Sequence, residues 1–177
     1  EDWLNIKINI FKGKIYLRDN NIIQKNSIII GLGASGDNKR WSVKNYIKLI
    51  NRLEKYHSYE FILAGGPGES LIINEIITSL PNIKFTNLEK LNVSECIDEF
   101  KGSYFFIGND TGFMHVAACL NIRTFCLYGD TPSIDSEYND NIVPILPPGI
   151  DKVYHDDMAM NKITVELTLK ILSKYFP

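Results

Sequence analysis

The sequence predicts an α/β fold in which a doubly wound, mostly parallel sheet is covered by helices on both faces. Short, continuously apolar runs alternate along the chain with segments whose apolar residues recur at helical spacing. Strands that are apolar on both sides belong in sheets buried between helices, and repeated strand–helix units give a Rossmann-like arrangement. The length of 177 residues and the 45% hydrophobic content exclude a disordered or disulfide-stapled chain.

Five apolar runs are predicted as strands. Most of them end in glycine, which suits the tight turn into a following helix and lets the backbone approach a ligand closely. In chain order they are residues 27–33, 59–65, 83–85, 104–108 and 123–129.

Four helices are predicted among these strands. Ser42 caps the first, the second stops at Pro81, Ser94 caps the third with Ile97 and Phe100 inward, and the fourth spans residues 111–120. The first two are indicated by apolar stripes, which comprise Val43, Ile47, Ile50 and Leu53, then Leu71, Ile72, Ile76 and Leu80.

The remaining chain is predicted from its prolines, its polar residues and one helix-capping residue. Residues 130–161, with four of the seven prolines, are predicted as loop. Thr164 caps a last helix whose apolar side is formed by Val165, Leu169, Leu172 and Phe176. Residues 1–26 are polar and are predicted as a leader or small hairpin, and residues 27–177 as the Rossmann-like domain.

Charge and composition restrict the partners. Nineteen Lys and Arg against 21 Asp and Glu give a formal charge of −2, which offers no basic field for nucleic acid. No apolar run is long enough to span a bilayer, and three cysteines without metal-ligand spacing fit a reducing cytoplasm. Cys119 and Cys126 are predicted as core thiols. The chain opens without Met, so we expect a fragment of a longer protein.

Gly31, Gly33 and Gly36 follow a predicted strand with the spacing G-x-G-x-x-G, which is the dinucleotide-binding fingerprint. In that motif the helix opens within the glycine turn, whereas helical periodicity here begins only near Val43. A nicotinamide or flavin site is therefore the less favoured interpretation, which an NAD titration would test.

Lys39 and Arg40 follow this glycine loop, close to the hydroxyl of Ser35. Backbone amides, a hydroxyl and an ammonium together form the chemistry that holds a diphosphate. The alternative is a solvated basic pair before a helix, with Trp41 packing at its cap.

Residues 109–115 form the strongest candidate stretch. Asp110 or Thr111 caps the helix that follows a buried strand, so free N–H groups point into the crevice and favour phosphate. His115 lies one turn further on, on the same face as the cap. The alternative is a capped helix with a satisfied histidine. Glu69, at the start of another helix, is equally compatible with ribose binding and with a favourable helix-dipole position.

The glycine and cation motifs occur in an order that resembles the carboxyl-terminal half of the lipopolysaccharide heptosyltransferases, glycosyltransferase family 9. The resemblance covers residues 27–130, and the closing helix from Ile163 also fits. The motifs are Gly33-Ala34-Ser35, Lys39-Arg40-Trp41, Ala64-Gly65-Gly66-Pro67, Gly108-Asn109-Asp110-Thr111-Gly112, Met114-His115-Val116-Ala117-Ala118 and Leu127-Tyr128-Gly129.

The resemblance implies one half of a GT-B fold, in which two Rossmann-like domains face a cleft and the second holds a nucleotide sugar, typically ADP-heptose. It implies that Ser35 and Lys39 contact the diphosphate, Glu69 the ribose, and Asp110, Thr111 and Gly112 the diphosphate and sugar. His115 matches the motif histidine. We expect Lys39, Asp110 and His115 to stabilise or orient the leaving group.

The resemblance also implies an inverting transfer of heptose to a lipopolysaccharide core acceptor, with the general base and the acceptor site in an absent amino-terminal domain. We expect the fragment alone to be inactive, with no cofactor and, since no Asp-x-Asp occurs, no metal. The full-length protein is expected to be cytoplasmic and peripheral to the inner membrane. The chain departs from the family pattern at Ala34 and lacks cysteines near Met158, which bears on the donor sugar.

Two further classes stay open. A GT-B sugar-nucleotide epimerase would share the crevice but would need carboxylates from both halves, and assay of released epimer against transferred product separates the two. A non-catalytic nucleotide-binding module would bind ADP without any activity in the full-length protein.

Overall fold

A computed structural model of the chain describes residues 13–17, 22–136 and 138–175. Its sheet has six parallel strands in the order β3-β2-β1-β4-β5-β6. This is the doubly wound order of a Rossmann fold, so the predicted fold class is confirmed. The strands are β1 Ser27–Gly31, β2 Glu60–Ala64, β3 Phe85–Asn87, β4 Phe105–Asn109, β5 Arg123–Leu127 and β6 Ile142–Ile145.

Five helices cover the two faces of the sheet. They are α1 Val43–Glu54, α2 Ser70–Ser79, α3 Val93–Phe100, α4 Gly112–Cys119 and α5 Val165–Leu172. Buried side chains of α1, α2 and α5 share one apolar core, and those of α3 and α4 share the other. Strand β1 lies in the middle: Ile28 and Ile30 belong to the first core and Ile29 to the second, each fully buried.

The predicted helix caps are confirmed at two sites and wrong at one. Ser42 Oγ accepts a hydrogen bond from the Asn45 amide, and Thr164 Oγ1 accepts one from the Leu167 amide. The third helix is capped by Asn92, whose Oδ1 accepts from the Glu95 amide, and not by Ser94. The Glu95 carboxylate accepts from the Asn92 amide in return, and this reciprocal box fixes the helix start two residues earlier.

The prediction that residues 130–161 are loop is wrong at β6. This strand pairs with β5 and buries Ile142 and Ile145, although Pro144 lies within it. A proline is tolerated at the edge of a sheet because its missing N–H can face away from the neighbouring strand. Pro144 is exposed there, so the residue that argued against a strand marks an edge.

The segment before β1 contacts the domain. The Ile15 amide donates to the Cys119 carbonyl, and the Lys25 amide donates to the Gly102 carbonyl. Residues 14–17 are not in a strand, and the rest of the proposed hairpin, like Phe176, lies outside the described residues. The division at residue 26 stays a prediction.

The cysteines are free thiols. Cys126 is buried as predicted, and its burial raises its pKa well above the ordinary value. Cys119 is only half-buried, so its assignment as a core thiol is wrong. Within the described ranges, no helix is long and apolar enough to cross a membrane.

The neighbouring parallel strands β1 and β4 approach each other closely at their carboxyl ends. Gly31 is paired with Gly108, and a Cβ added to Gly108 would overlap the backbone of Gly31. Neither backbone can shift readily, because each is held within the central ladder of the sheet. The two glycines therefore permit the spacing from which the loops above them begin.

We expect Gly108→Ala to destabilise the domain by about 3 kcal/mol, because overpacking against rigid backbone is relieved only by strand movement. Urea denaturation followed by circular dichroism measures the change. Gly68→Ala is the matched control, since a Cβ there meets nothing within 4 Å and no loss of stability is expected. Equal stability of the Gly108→Ala variant and the unmodified chain would contradict the close packing.

Candidate functional site

The loops that follow β1, β2 and β4 meet above the carboxyl edge of the sheet. From β1 the sheet grows to one side through β2 and β3 and to the other side through β4, β5 and β6, so the strand order reverses between β1 and β4. Ligands of doubly wound sheets bind in the crevice formed at such a switch point. A Cβ built on Gly33 would lie 3.5 Å from Thr111 Cγ2 and 4.0 Å from Glu69 Oε2. Three predicted site segments are thus brought together around Gly33.

Asn109, the last residue of β4, holds the loop after β1 in place. It is fully buried. Its Nδ2 donates to the Leu32 and Gly33 carbonyls at 3.2 and 3.0 Å, and its Oδ1 accepts from the Trp41 amide at 3.1 Å. The Leu32 amide still pairs with the Ala64 carbonyl of β2, and the Asn109 side chain pairs the backbone groups that follow it.

Two aromatic side chains complete this support. Tyr46 Oη lies 2.9 Å from the Gly31 carbonyl oxygen and 3.0 Å from Asn109 Oδ1, and burial raises the pKa of the phenol far above its ordinary value. Trp41 Nε1 donates to the Ile163 carbonyl at 2.7 Å, which ties the loop to the start of the closing helix. Trp41 therefore packs inside the core, directly before the Ser42 cap of α1.

Arg40 and Glu69 form an ion pair between the first two loops. Arg40 Nη2 lies 3.1 Å from Glu69 Oε1, and Arg40 Nη1 lies 3.0 Å from Asp37 Oδ1. The other oxygen of Glu69 accepts from the Gly66 amide at 2.9 Å. The two side chains are 24% and 13% exposed, so this pair is partly shielded from solvent. Of the two predicted cations, Arg40 is thus neutralised within the protein.

Lys39 ends the 3-10 turn Asp37–Lys39, and Ser35 is exposed in the same loop. Within the described ranges the Lys39 ammonium has no hydrogen bond or ion pair. Its neighbour Asn38 donates to the carboxylate of Asp130, which is only 2% exposed and also accepts from the Met158 amide at 2.8 Å. The position of the Lys39 backbone is therefore fixed by a buried carboxylate on the loop after β5.

Thr111 precedes α4 in an extended conformation, as one of the two predicted cap residues. Its hydroxyl does not cap the helix, and Thr111 Oγ1 is buried with no hydrogen-bond partner in the part of the chain that the structure describes. Gly112 beside it is exposed, and a Cβ there would meet nothing within 4 Å. An orphan hydroxyl next to open space at a helix amino terminus is what a bound anion would satisfy.

Asp110 and His115 lie close together beside the start of α4. His115 Nε2 is 3.9 Å from Asp110 Oδ1, and His115 Nδ1 is 2.6 Å from Tyr138 Oη. Tyr138 lies in the segment predicted as loop and was not a candidate from the sequence.

Sequence reasoning missed three supporting side chains, those of Asn109, Asp130 and Tyr138. Asn109 and Asp130 carry one signal, because each is a polar residue at the end of an apolar run. Tyr138 carries no such signal. Among the described residues, no group of three His, Cys, Asp or Glu side chains could hold a metal ion.

Comparison with known proteins finds one family and its fold. Residues 7–146 match the model of glycosyltransferase family 9 (heptosyltransferase). The chain is 28% identical to the lipopolysaccharide heptosyltransferase 1 of Campylobacter coli over 162 residues, which are 86% of this chain and 47% of that protein. It therefore spans less than half the length of this relative.

Two solved structures share the fold. The E. coli heptosyltransferase WaaC, determined with ADP, superimposes with a TM-score of 0.74 at 17% identity, over 87% of this chain and 46% of WaaC. The E. coli ADP-heptose heptosyltransferase II gives a TM-score of 0.73 at 25% identity, over 85% of this chain and 46% of the other.

We expect Asn109→Asp to lower the free energy of unfolding by about 2–3 kcal/mol, because a carboxylate loses both donors and faces two carbonyl oxygens in a buried site. Urea denaturation measures the loss. Asn92→Asp is the matched control: Asp caps a helix as well as Asn does, so stability should change little. Equal effects of the two substitutions would show that the Asn109 amide does not support the loop.

Proposed function

Because the chain belongs to glycosyltransferase family 9, we propose that this domain binds the nucleotide-diphosphate sugar donor, ADP-heptose, of a heptosyltransferase. The observation that carries the proposal is the buried Thr111 hydroxyl, which has no partner within the described part of the chain and lies beside the open amino terminus of α4. Binding of ADP in the WaaC structure and the names of the relatives support the choice of donor.

The diphosphate of the donor would lie at the start of α4. The first amides of a helix lack intrahelical acceptors and carry its positive dipole end, and both favour a phosphate. Gly112 leaves room for a phosphoryl oxygen to approach these amides, and Thr111 Oγ1 would donate to one such oxygen. Ser35 and Lys39 would approach from the loop after β1.

Lys39 is the cation left for the ligand in this proposal. Arg40 is committed to Glu69 and Asp37, whereas the Lys39 ammonium has no acidic partner among the described residues. An ammonium beside the departing ADP would offset the negative charge that grows on the leaving group. Such a donor contributes about 3 kcal/mol to a transition state.

Glu69 would bind the ribose hydroxyls of the donor. Both of its oxygens already accept one hydrogen bond, from Arg40 and from the Gly66 amide, and each retains a lone pair. The ion pair with Arg40 would hold the carboxylate in the orientation that a sugar diol requires.

The full-length enzyme would transfer heptose to a lipopolysaccharide core acceptor with inversion, using a general base and an acceptor site on another domain. We propose a metal-independent reaction, in which Lys39 and the α4 amides take the place of a metal ion. Such a protein would act in the cytoplasm at the inner membrane, where a lipid-linked acceptor is reached.

We expect Thr111→Val to weaken ADP binding without destabilising the chain, because the isosteric change removes a hydroxyl that has no hydrogen-bond partner among the described residues. Losing one hydrogen bond to a charged group corresponds to roughly a tenfold or greater loss of affinity. Isothermal titration calorimetry with ADP and a thermal melt measure the two effects.

Thr168→Val is the matched control for this substitution. The Thr168 hydroxyl is buried and donates to the Thr164 carbonyl, so the variant should melt at a lower temperature and bind ADP as before. Unchanged ADP affinity of the Thr111→Val variant would exclude the hydroxyl from the site.

We expect Lys39→Met to weaken binding of ADP by about tenfold or more and to leave binding of adenosine unchanged, because only the diphosphate requires a cation. Lys44→Met is the control, since Lys44 is an exposed residue of α1. Calorimetry in the presence of EDTA should give the same ADP affinity as without it. An affinity that collapses with EDTA would overturn the metal-independent proposal, and an equal loss for ADP and adenosine would remove Lys39 from the diphosphate.

A further inference from the structure

We propose that Tyr138 is a positioning residue that holds the His115 imidazole with its Nε2–H directed towards the amino-terminal end of α4. The inference deepens the proposed function, since it assigns a fixed hydrogen-bond donor to the donor-sugar site.

The contact between the two rings is close and geometrically defined. Tyr138 Oη lies 2.6 Å from His115 Nδ1, and the rings are stacked at 28° with centroids 5.6 Å apart. A hydrogen bond fixes the distance of one ring atom, and stacking fixes the plane. The His115 side chain is 41% exposed, so without this contact its ring would be free to rotate in solvent.

The surroundings of His115 select one tautomer of the neutral ring. Asp110 Oδ1 lies 3.9 Å from Nε2, on the side opposite the Tyr138 hydroxyl. If Nδ1 carried the proton, the Nε2 lone pair would face a carboxylate that can only accept. When the Tyr138 hydroxyl donates to Nδ1 instead, Nε2 carries the proton and faces the carboxylate favourably.

Tyr138 keeps the proton that this arrangement requires. Burial raises the pKa of its phenol to about 12, and the nearby Cys119, Asp110 and Cys126 act in the same direction. The hydroxyl is therefore protonated at neutral pH, where it can donate to Nδ1.

The Tyr138 backbone is anchored to the helix that carries His115. Asn139 is buried, and its Nδ2 donates to the Ala118 carbonyl of α4 at 3.1 Å, while its own carbonyl accepts from the first amide of β6. The hydroxyl that orients His115 is thus set at a fixed position relative to α4 itself.

An oriented Nε2–H suits the proposed ligand. A phosphoryl oxygen at the start of α4 would accept a hydrogen bond from this N–H, whereas the other tautomer would present a lone pair to the same oxygen. Tyr138 acts in this way only through His115.

The ligand-free chain tests the assignment directly. Long-range ¹H–¹⁵N correlation spectra of the three histidines report which ring nitrogen carries the proton, and His115→Gln identifies the His115 signals. We expect the Nε2–H form at neutral pH, and a mixture of both tautomers in Tyr138→Phe. Tyr56→Phe, which changes an exposed phenol elsewhere, should leave the His115 signals unchanged. A wild-type Nδ1–H form, or identical His115 spectra in Tyr138→Phe, would overturn the proposal.

ADP affinity provides the second measurement. We expect Tyr138→Phe to weaken ADP binding by about threefold to tenfold, the effect of one neutral hydrogen bond, and to have no effect in a His115→Phe background. An equal loss in that background would overturn the proposal. Absence of ADP binding by the wild-type chain would instead refute the proposed function, while the spectra would still decide the assignment of Tyr138.

Discussion

The side-chain amide of Asn109 is the interaction on which the site depends. The loop after β1 leaves the sheet at its topological switch point, where the Leu32 amide makes the last pairing with β2, to the Ala64 carbonyl. Asn109 supplies the missing partners, by donating to the Leu32 and Gly33 carbonyls and accepting from the Trp41 amide. The loop that carries Ser35 and Lys39 is therefore part of the core, although its tip is open to solvent.

Charge in the crevice is divided between structural and free groups. Arg40 and Glu69 neutralise each other and join two loops, which rigidifies the rim without presenting net charge. By contrast, Thr111 Oγ1, like Arg40 Nε, is buried and has no hydrogen-bond partner among the described residues. A native fold retains few such groups, and at Thr111 we propose that the bound donor supplies the partner. The Arg40–Glu69 pair therefore shapes the crevice, whereas the Thr111 hydroxyl is the group proposed to bind the ligand.

The fold and the position of the site could be predicted from sequence because both follow from local signals. Apolar runs, capping residues such as Ser42, and glycines after strands are each encoded within a few residues. The failures have different causes. Pro144 argued against the edge strand in which it lies. The reciprocal hydrogen bonds between Asn92 and Glu95 start α3 two residues before the predicted cap Ser94. Asp130 follows an apolar run and Tyr138 carries no local signal, and both contact partners that are far away in sequence, so no local pattern indicated what either side chain binds.

The buried Asp130 carboxylate has a consequence for any redesign of this crevice. It accepts from the Asn38 side chain and from the Met158 amide, and so joins the loop after β1 to a segment in which Asp156 and Met158 adopt positive φ angles. The two segments are joined through the Asp130 carboxylate. A chimera that takes only one of these segments from another protein would leave the buried Asp130 carboxylate without one of its two hydrogen-bond donors. Both segments must therefore be transferred together with Asp130.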